Sequence, residues 1–126
     1  MLRFDGLYLS NQRDCEGNTT CRTYLRFYPD GSVIEQVVQQ PATVTQVMKW
    51  ITPAQVGIPV GEYTLEADHI KFYTILEYGS DHPCEPVYPS VREDYKGRVY
   101  TDRLILFSTK PSGRIAENCE YEFLAE

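Results

Sequence analysis

The 126-residue chain contains no run of 18 apolar residues, which excludes a helical membrane span as an expectation. Its first ten residues, MLRFDGLYLS, lack a basic stretch followed by a long apolar core. No secretory signal is legible there, and a cytoplasmic location is expected. Alanine is scarce, at five residues, which argues against a helical bundle. There is no Gly-x-Ser-x-Gly elbow, no phosphate-binding Gly-x-x-x-x-Gly-Lys loop and no Gly-x-Gly-x-x-Gly turn. Hydrolase, nucleotide and dinucleotide readings therefore have no support. No Cys-x-x-Cys pair is present, and histidine occurs only at His69 and His82. The segment Asp81-His82-Pro83-Cys84-Glu85 mixes three ligand types but does not match the spacing of a closed zinc site, so no metal and no cofactor are expected. A Cys–His nucleophile pair using Cys84 or Cys119 would depend on geometry that spacing does not supply. No catalytic residue is assigned, and a binding protein is favoured over an enzyme.

Basic residues are the minority, 12 against 18 acidic, for a net charge of −6. The densest basic stretch, Arg92, Lys96, Arg98 and Arg103, is interleaved with Glu93, Asp94 and Asp102. That mixture reads as a solvated face, and no nucleic-acid partner is expected. Four cysteines, Cys15, Cys21, Cys84 and Cys119, allow two disulfides in three pairings. Four reduced thiols are slightly favoured for a cytoplasmic chain; if a bridge forms, Cys15–Cys21 is the foremost candidate because it closes a short loop.

What is abundant is strand formers. Valine, isoleucine, threonine and the aromatic residues together account for 43 of the 126 positions. Glycine and proline, eight of each, punctuate the chain, and the longest stretch free of both is 62–78. Residues 2–10 read as a first strand with Gly6 marking a bend or a close backbone approach, followed by a polar loop over 11–20. Residues 22–28 and 32–40 form a hairpin around Pro29-Asp30-Gly31. Residues 43–51 are ambiguous, since Val44, Val47, Met48 and Ile51 fit helical spacing; an extended strand or a single helical turn ending before Pro53 is preferred. Two more hairpins follow, 62–66 with 69–77 and 94–100 with 103–109. Between them runs a proline-containing loop over 79–91, and the last strand spans 119–126. In 62–76 the alternation is clean: Tyr63, Leu65, Ile70, Phe72, Thr74 and Leu76 share one face. Glu120 and Glu122 fall on the solvent face of the last strand.

The expected fold is all-β: one domain over residues 1–126, about eight antiparallel strands in an up-and-down meander, with little helix. Closure into a barrel would remove both exposed sheet edges, and eight strands can just enclose one small ligand. A two-sheet sandwich of the same strands is the rival. The aromatic–glycine first strand (Phe4, Asp5, Gly6, Leu7, Tyr8), the hairpin LRFYPDGSVI, the later Lys49-Trp50 and the run Gly61-Glu62-Tyr63 resemble calycin-type barrels. The nearest likeness is to small, uncharacterised bacterial lipocalin-like domains. Gly6 is followed by Leu7 and Tyr8 where lipocalins usually carry Gly-x-Trp. The resemblance implies a barrel and transfers no activity.

Arg22, Tyr24, Arg26 and Tyr28 alternate with Thr23, Leu25 and Phe27, so the four share a face. Facing a lumen, they would hold an anionic head group through guanidinium forks. Facing outward, they would cover the sheet with their apolar stems, and Leu25 and Phe27 are the better core candidates. With Trp50, read either as closing one end of the barrel or as a core plug, and Tyr63, they are the candidate ligand contacts. Tyr73, Tyr95 and Tyr100 are expected on the outer surface, where they would support a dimer; monomer and homodimer both stay open. The expected function is non-catalytic binding of a small apolar or amphipathic ligand in the barrel mouth, framed by the loops 11–20 and 79–91. The alternative is a protein-interaction or assembly module with a packed core.

Overall fold

A computed structural model describes residues 2–11, 13–15, 19–52, 60–76, 91–109 and 115–125. Nine strands and one helix are formed: β1 (Gly6–Leu9), β2 (Arg13–Cys15), β3 (Thr19–Phe27), β4 (Ser32–Gln39), α1 (Val44–Trp50), β5 (Val60–Glu66), β6 (His69–Leu76), β7 (Val91–Val99), β8 (Arg103–Thr109) and β9 (Ile115–Ala125). The strands pair antiparallel in the order β1-β9-β8-β7-β6-β5-β4-β3-β2, and β1 also pairs with β3. That last pairing closes the sheet. β1 and β2 lie along the same partner and act as one interrupted strand, so the barrel has eight. The sandwich alternative is thereby excluded.

The interruption is a bulge. Leu9 stands opposite Tyr24, but Arg13 stands opposite Cys21, so the first strand carries one extra residue between them. Ser10 stitches the break: its N–H donates to the Thr23 carbonyl at 2.9 Å and its Oγ accepts from the Thr23 N–H at 2.9 Å. The polar loop expected over 11–20 is corrected accordingly, because Arg13–Cys15 and Thr19 onward pair as strand. The expected first strand also begins later than read, at Gly6. The close approach expected at Gly6 is real. A Cβ there would lie 2.2 Å from the Leu124 carbonyl oxygen, so only glycine lets β1 lie against β9.

Residues 43–51 form neither strand nor single turn but a seven-residue helix, α1. Thr43 starts it with a reciprocal capping box: its hydroxyl accepts from the Gln46 N–H at 3.2 Å, and the Gln46 side chain accepts from the Thr43 N–H at 3.0 Å. The helical spacing wins over β propensity because Val47, Met48 and Ile51 have an apolar surface to cover. They pack outside the barrel on Leu7, Leu9, Tyr24, Ile34 and Val38, forming a second small core. This explains why β1 and β4 are apolar on both faces: one face meets the lumen and the other meets α1.

The main core is the barrel interior, and the two ends of the barrel differ. At one end the strands are joined by the tight turns around Pro29–Gly31, Ala67–Asp68 and Thr101–Asp102. Here Leu2 folds into the interior, and Arg3 lies over the Phe123 ring at 4.1 Å while its N–H donates to the Tyr8 hydroxyl at 3.0 Å. Tyr8, Phe27, Phe72 and Tyr63 meet edge-to-face at 5.4–5.6 Å between centroids. This half is filled with side chains. The other end receives all the longer connections.

Candidate ligand-binding site

The aromatic cluster lies toward the tight-turn end of the barrel, and the interior positions toward the other end are largely polar. The inward-facing residues of that half are set by register: Thr23 opposes Val37, Leu25 opposes Glu35, Phe72 opposes Tyr95 and Thr74 opposes Glu93. Strand alternation therefore places Glu35 of β4, Thr74 of β6, and Glu93 and Tyr95 of β7 on the interior side. Glu35, Tyr95, Thr23, Thr74 and Tyr121 are all buried. The Tyr95 hydroxyl is in hydrogen-bond contact with carboxylates of both Glu35 and Glu93. Its ring stacks on Phe72 at 4.6 Å, at an interplanar angle of 13°, which fixes the phenol in place. Burial, followed by the negative charge of Glu35, pushes the Tyr95 phenol far above its ordinary range, so it stays a hydrogen-bond donor. A phenol carries one hydrogen, and here it serves two carboxylates. The result is a cluster of two carboxyl groups around one phenol on the interior side of the barrel.

Val37 lies on the interior side by register and is 51% exposed. Cys119 is half-buried on the interior side of β9 and packs against the interior core. Among the described residues, no group of three or more His, Cys, Asp or Glu side chains is placed to hold a metal. Among the described residues, no helix is long and apolar enough to cross a membrane.

The residues expected to contact a ligand are dispersed. Arg22, Tyr24, Arg26 and Tyr28 face away from the lumen, because Leu25 and Phe27 take the inward positions of β3. Of the two orientations, the outward one favoured by Leu25 and Phe27 as core candidates is formed, and the lumen-facing one is not. Their geometry serves α1 and the first-strand bulge instead. Arg26 Nη1 donates to the carbonyls of Met48 at 3.0 Å and Ile51 at 2.7 Å, and the Tyr28 hydroxyl reaches Ile51 O at 3.3 Å. These donors satisfy carbonyls that the helix end leaves open. Arg22 Nε donates to Ser10 O at 2.8 Å, and the Tyr24 hydroxyl accepts from Gln40 at 3.0 Å. Trp50 is 45% exposed on the outside of the barrel, so it neither closes an end nor plugs the core. Tyr63 borders the interior core, with its hydroxyl donating to Tyr28 O at 2.6 Å. Tyr95, expected on the outer surface, is inside; Tyr73 and Tyr100 are outside, under Arg92 and Arg103. Cys21 is disulfide-bonded, which corrects the preference for four reduced thiols. Cys15 stands opposite Thr19 and Cys21 opposite Arg13; the Cys15 side chain, His82, Cys84 and the loop 79–90 lie outside the described residues.

Sequence reasoning missed Glu35 and Glu93. The signal was present: in SVIEQVV, Glu35 shares alternation with Val33, the inward partner of Phe27. The chain matches no protein-family model, and no similar curated protein or solved structure was found.

Proposed function

We propose that this barrel binds a small amphipathic molecule in the polar half of its lumen, with a hydrogen-bond-donating or cationic head group on Glu35, Tyr95 and Glu93. The observation that carries the reading is the buried Tyr95 phenol in contact with the carboxylates of both Glu35 and Glu93 on the interior side of the barrel. An ammonium brings three donors and a positive charge to a place rich in acceptors and negative charge. The apolar part of the ligand would lie along Val37, Thr74 and Tyr121, since the lower lumen is already filled. Barrels of this strand number hold one small ligand at most.

Calorimetric titration with decylamine and with decanoate tests the charge preference. Decylamine is expected to bind the native protein, and Glu35→Gln is expected to weaken it about tenfold, which corresponds to about 1.4 kcal/mol. Unchanged decylamine affinity in Glu35→Gln contradicts the reading. Failure of both probes to bind favours the alternative of an interaction module, for which the packed lower half of the barrel is the supporting observation.

A further inference from the structure

The outer face of β6, β7 and β8 carries a pattern that folding does not call for. Register sets Lys71 of β6 directly opposite Lys96 of β7. Like charges facing each other across an antiparallel pair weaken it. The chain has 18 acidic residues and a net charge of −6, so acidic partners for these positions are not scarce. Nearby arginines do find them. Arg92 pairs with Asp94 at 2.9 Å and lies over Tyr73, and Arg103 pairs with Glu120 at 3.7 Å and lies over Tyr100. Among the described residues, Lys71, Lys96 and Arg98 have no ion pair.

The next strand places apolar groups beside these cations. Phe107 stands opposite Lys96 and is 39% exposed, and Ile105 stands opposite Arg98. Together these residues line an open groove of about 500 Å³ whose floor includes Gly97, which has no side chain. A neighbouring groove of about 410 Å³ shares Lys71 and Lys96 with it. Cations along one wall and Phe107 with Ile105 along the other define an amphipathic shape, within the volume range of small-molecule sites.

We infer that this groove binds a small amphipathic anion, an aromatic or aliphatic body carrying a carboxylate, sulfonate or phosphate group. The anion sits between Lys71, Lys96 and Arg98 and relieves their mutual repulsion. The apolar body lies on Phe107 and Ile105. Its charge is opposite to that of the head group proposed for the lumen, so the two sites are separable by ligand.

The test is a fluorescence titration of the full chain with 1-anilinonaphthalene-8-sulfonate, an aromatic anion, with amide chemical shifts followed in parallel. The native chain is expected to bind, with shift changes confined to β6, β7 and β8 around residues 69–73, 95–99 and 104–107. Lys71→Gln with Lys96→Gln is expected to weaken binding about tenfold or more while holding or raising the thermal midpoint, because the repulsion between the two is gone. Added sodium chloride is expected to weaken native binding. Equal binding by the double variant overturns the inference, as do shift changes confined to interior residues such as Tyr121. Decylamine binding in the same double variant reads the lumen independently, so failure at one site leaves the other interpretable.

Discussion

Individual side chains at the centre of the barrel act through ring geometry and one shared proton. Phe72 touches Phe27 edge-on and Tyr95 face-on, so it joins the packed half of the lumen to the polar half. Phe72→Ala should lower the unfolding free energy by about 3–5 kcal/mol, read by urea denaturation, because cavity formation adds to lost burial. Tyr95→Phe keeps the ring stack but removes the hydrogen that Glu35 and Glu93 share. Its expected cost is about 1 kcal/mol, the hydrogen bonding of the phenol that is lost. The tyrosines also set the alkaline limit. Burial raises the phenols of Tyr8, Tyr28, Tyr63 and Tyr95 above the ordinary value of 10.0. A raised phenol favours the protonated, folded state. Its contribution is complete below the ordinary value and is lost as pH rises past it, when only the unfolded chain can ionise. Absorbance titration near the tyrosinate band should show these four phenols ionising late and together, as the fold opens. Ionisation of these four around the ordinary value with the fold intact would contradict their burial.

At the scale of elements, α1 is the piece whose existence depends most on its surroundings. A seven-residue helix is too short to hold itself in water. It persists because Val47, Met48 and Ile51 cover the outer face of β1, β3 and β4, and because Arg26 and Tyr28 hold its last carbonyls. Arg26→Met should leave the barrel intact yet cost about 1–3 kcal/mol, with amide exchange accelerated over Val47–Ile51 first. The hairpins show the opposite economy of local signals. Pro29-Asp30-Gly31 is a turn by chemistry, and Gly31 takes φ +94°. Ala67 occupies a left-handed conformation at φ 55°, where an L side chain is strained. Ala67→Gly should therefore raise stability by about 1 kcal/mol, seen as a higher urea midpoint with unchanged slope.

For the whole molecule, strand number, hairpin order and all-β class were legible because each strand keeps one apolar face through its alternation. Phe72 and Thr74 versus Lys71 and Tyr73 on β6 are enough to orient that strand. Closure was not legible from alternation, since it rests on β1 pairing with both β9 and β3 through a bulge that a single-residue offset creates. The helix was half legible: its spacing is in the sequence, but the apolar outer face that stabilises it is assembled from three other strands. The site was hidden for a related reason. Arginines and tyrosines on β3 look like ligand contacts because such side chains recognise head groups, yet parity turns them toward α1. Glu35 and Glu93 look like solubilising carboxylates, and only the wrapping of eight strands brings them to one phenol. The same wrapping makes the outer face of β6–β8 a surface with its own chemistry, cationic on a chain that is acidic overall.

The central claim is that the loop end of the lumen, not the outer face, receives a donor head group. Intermolecular nuclear Overhauser contacts between bound decylamine and the protein test it most directly. The account predicts contacts from the alkyl chain to the Thr74 methyl group, the Val37 methyl groups and the Tyr121 ring, with the methylene next to nitrogen nearest the Tyr95 ring. Contacts only to Ile105, Phe107 or Trp50 would place the ligand outside the barrel and contradict it.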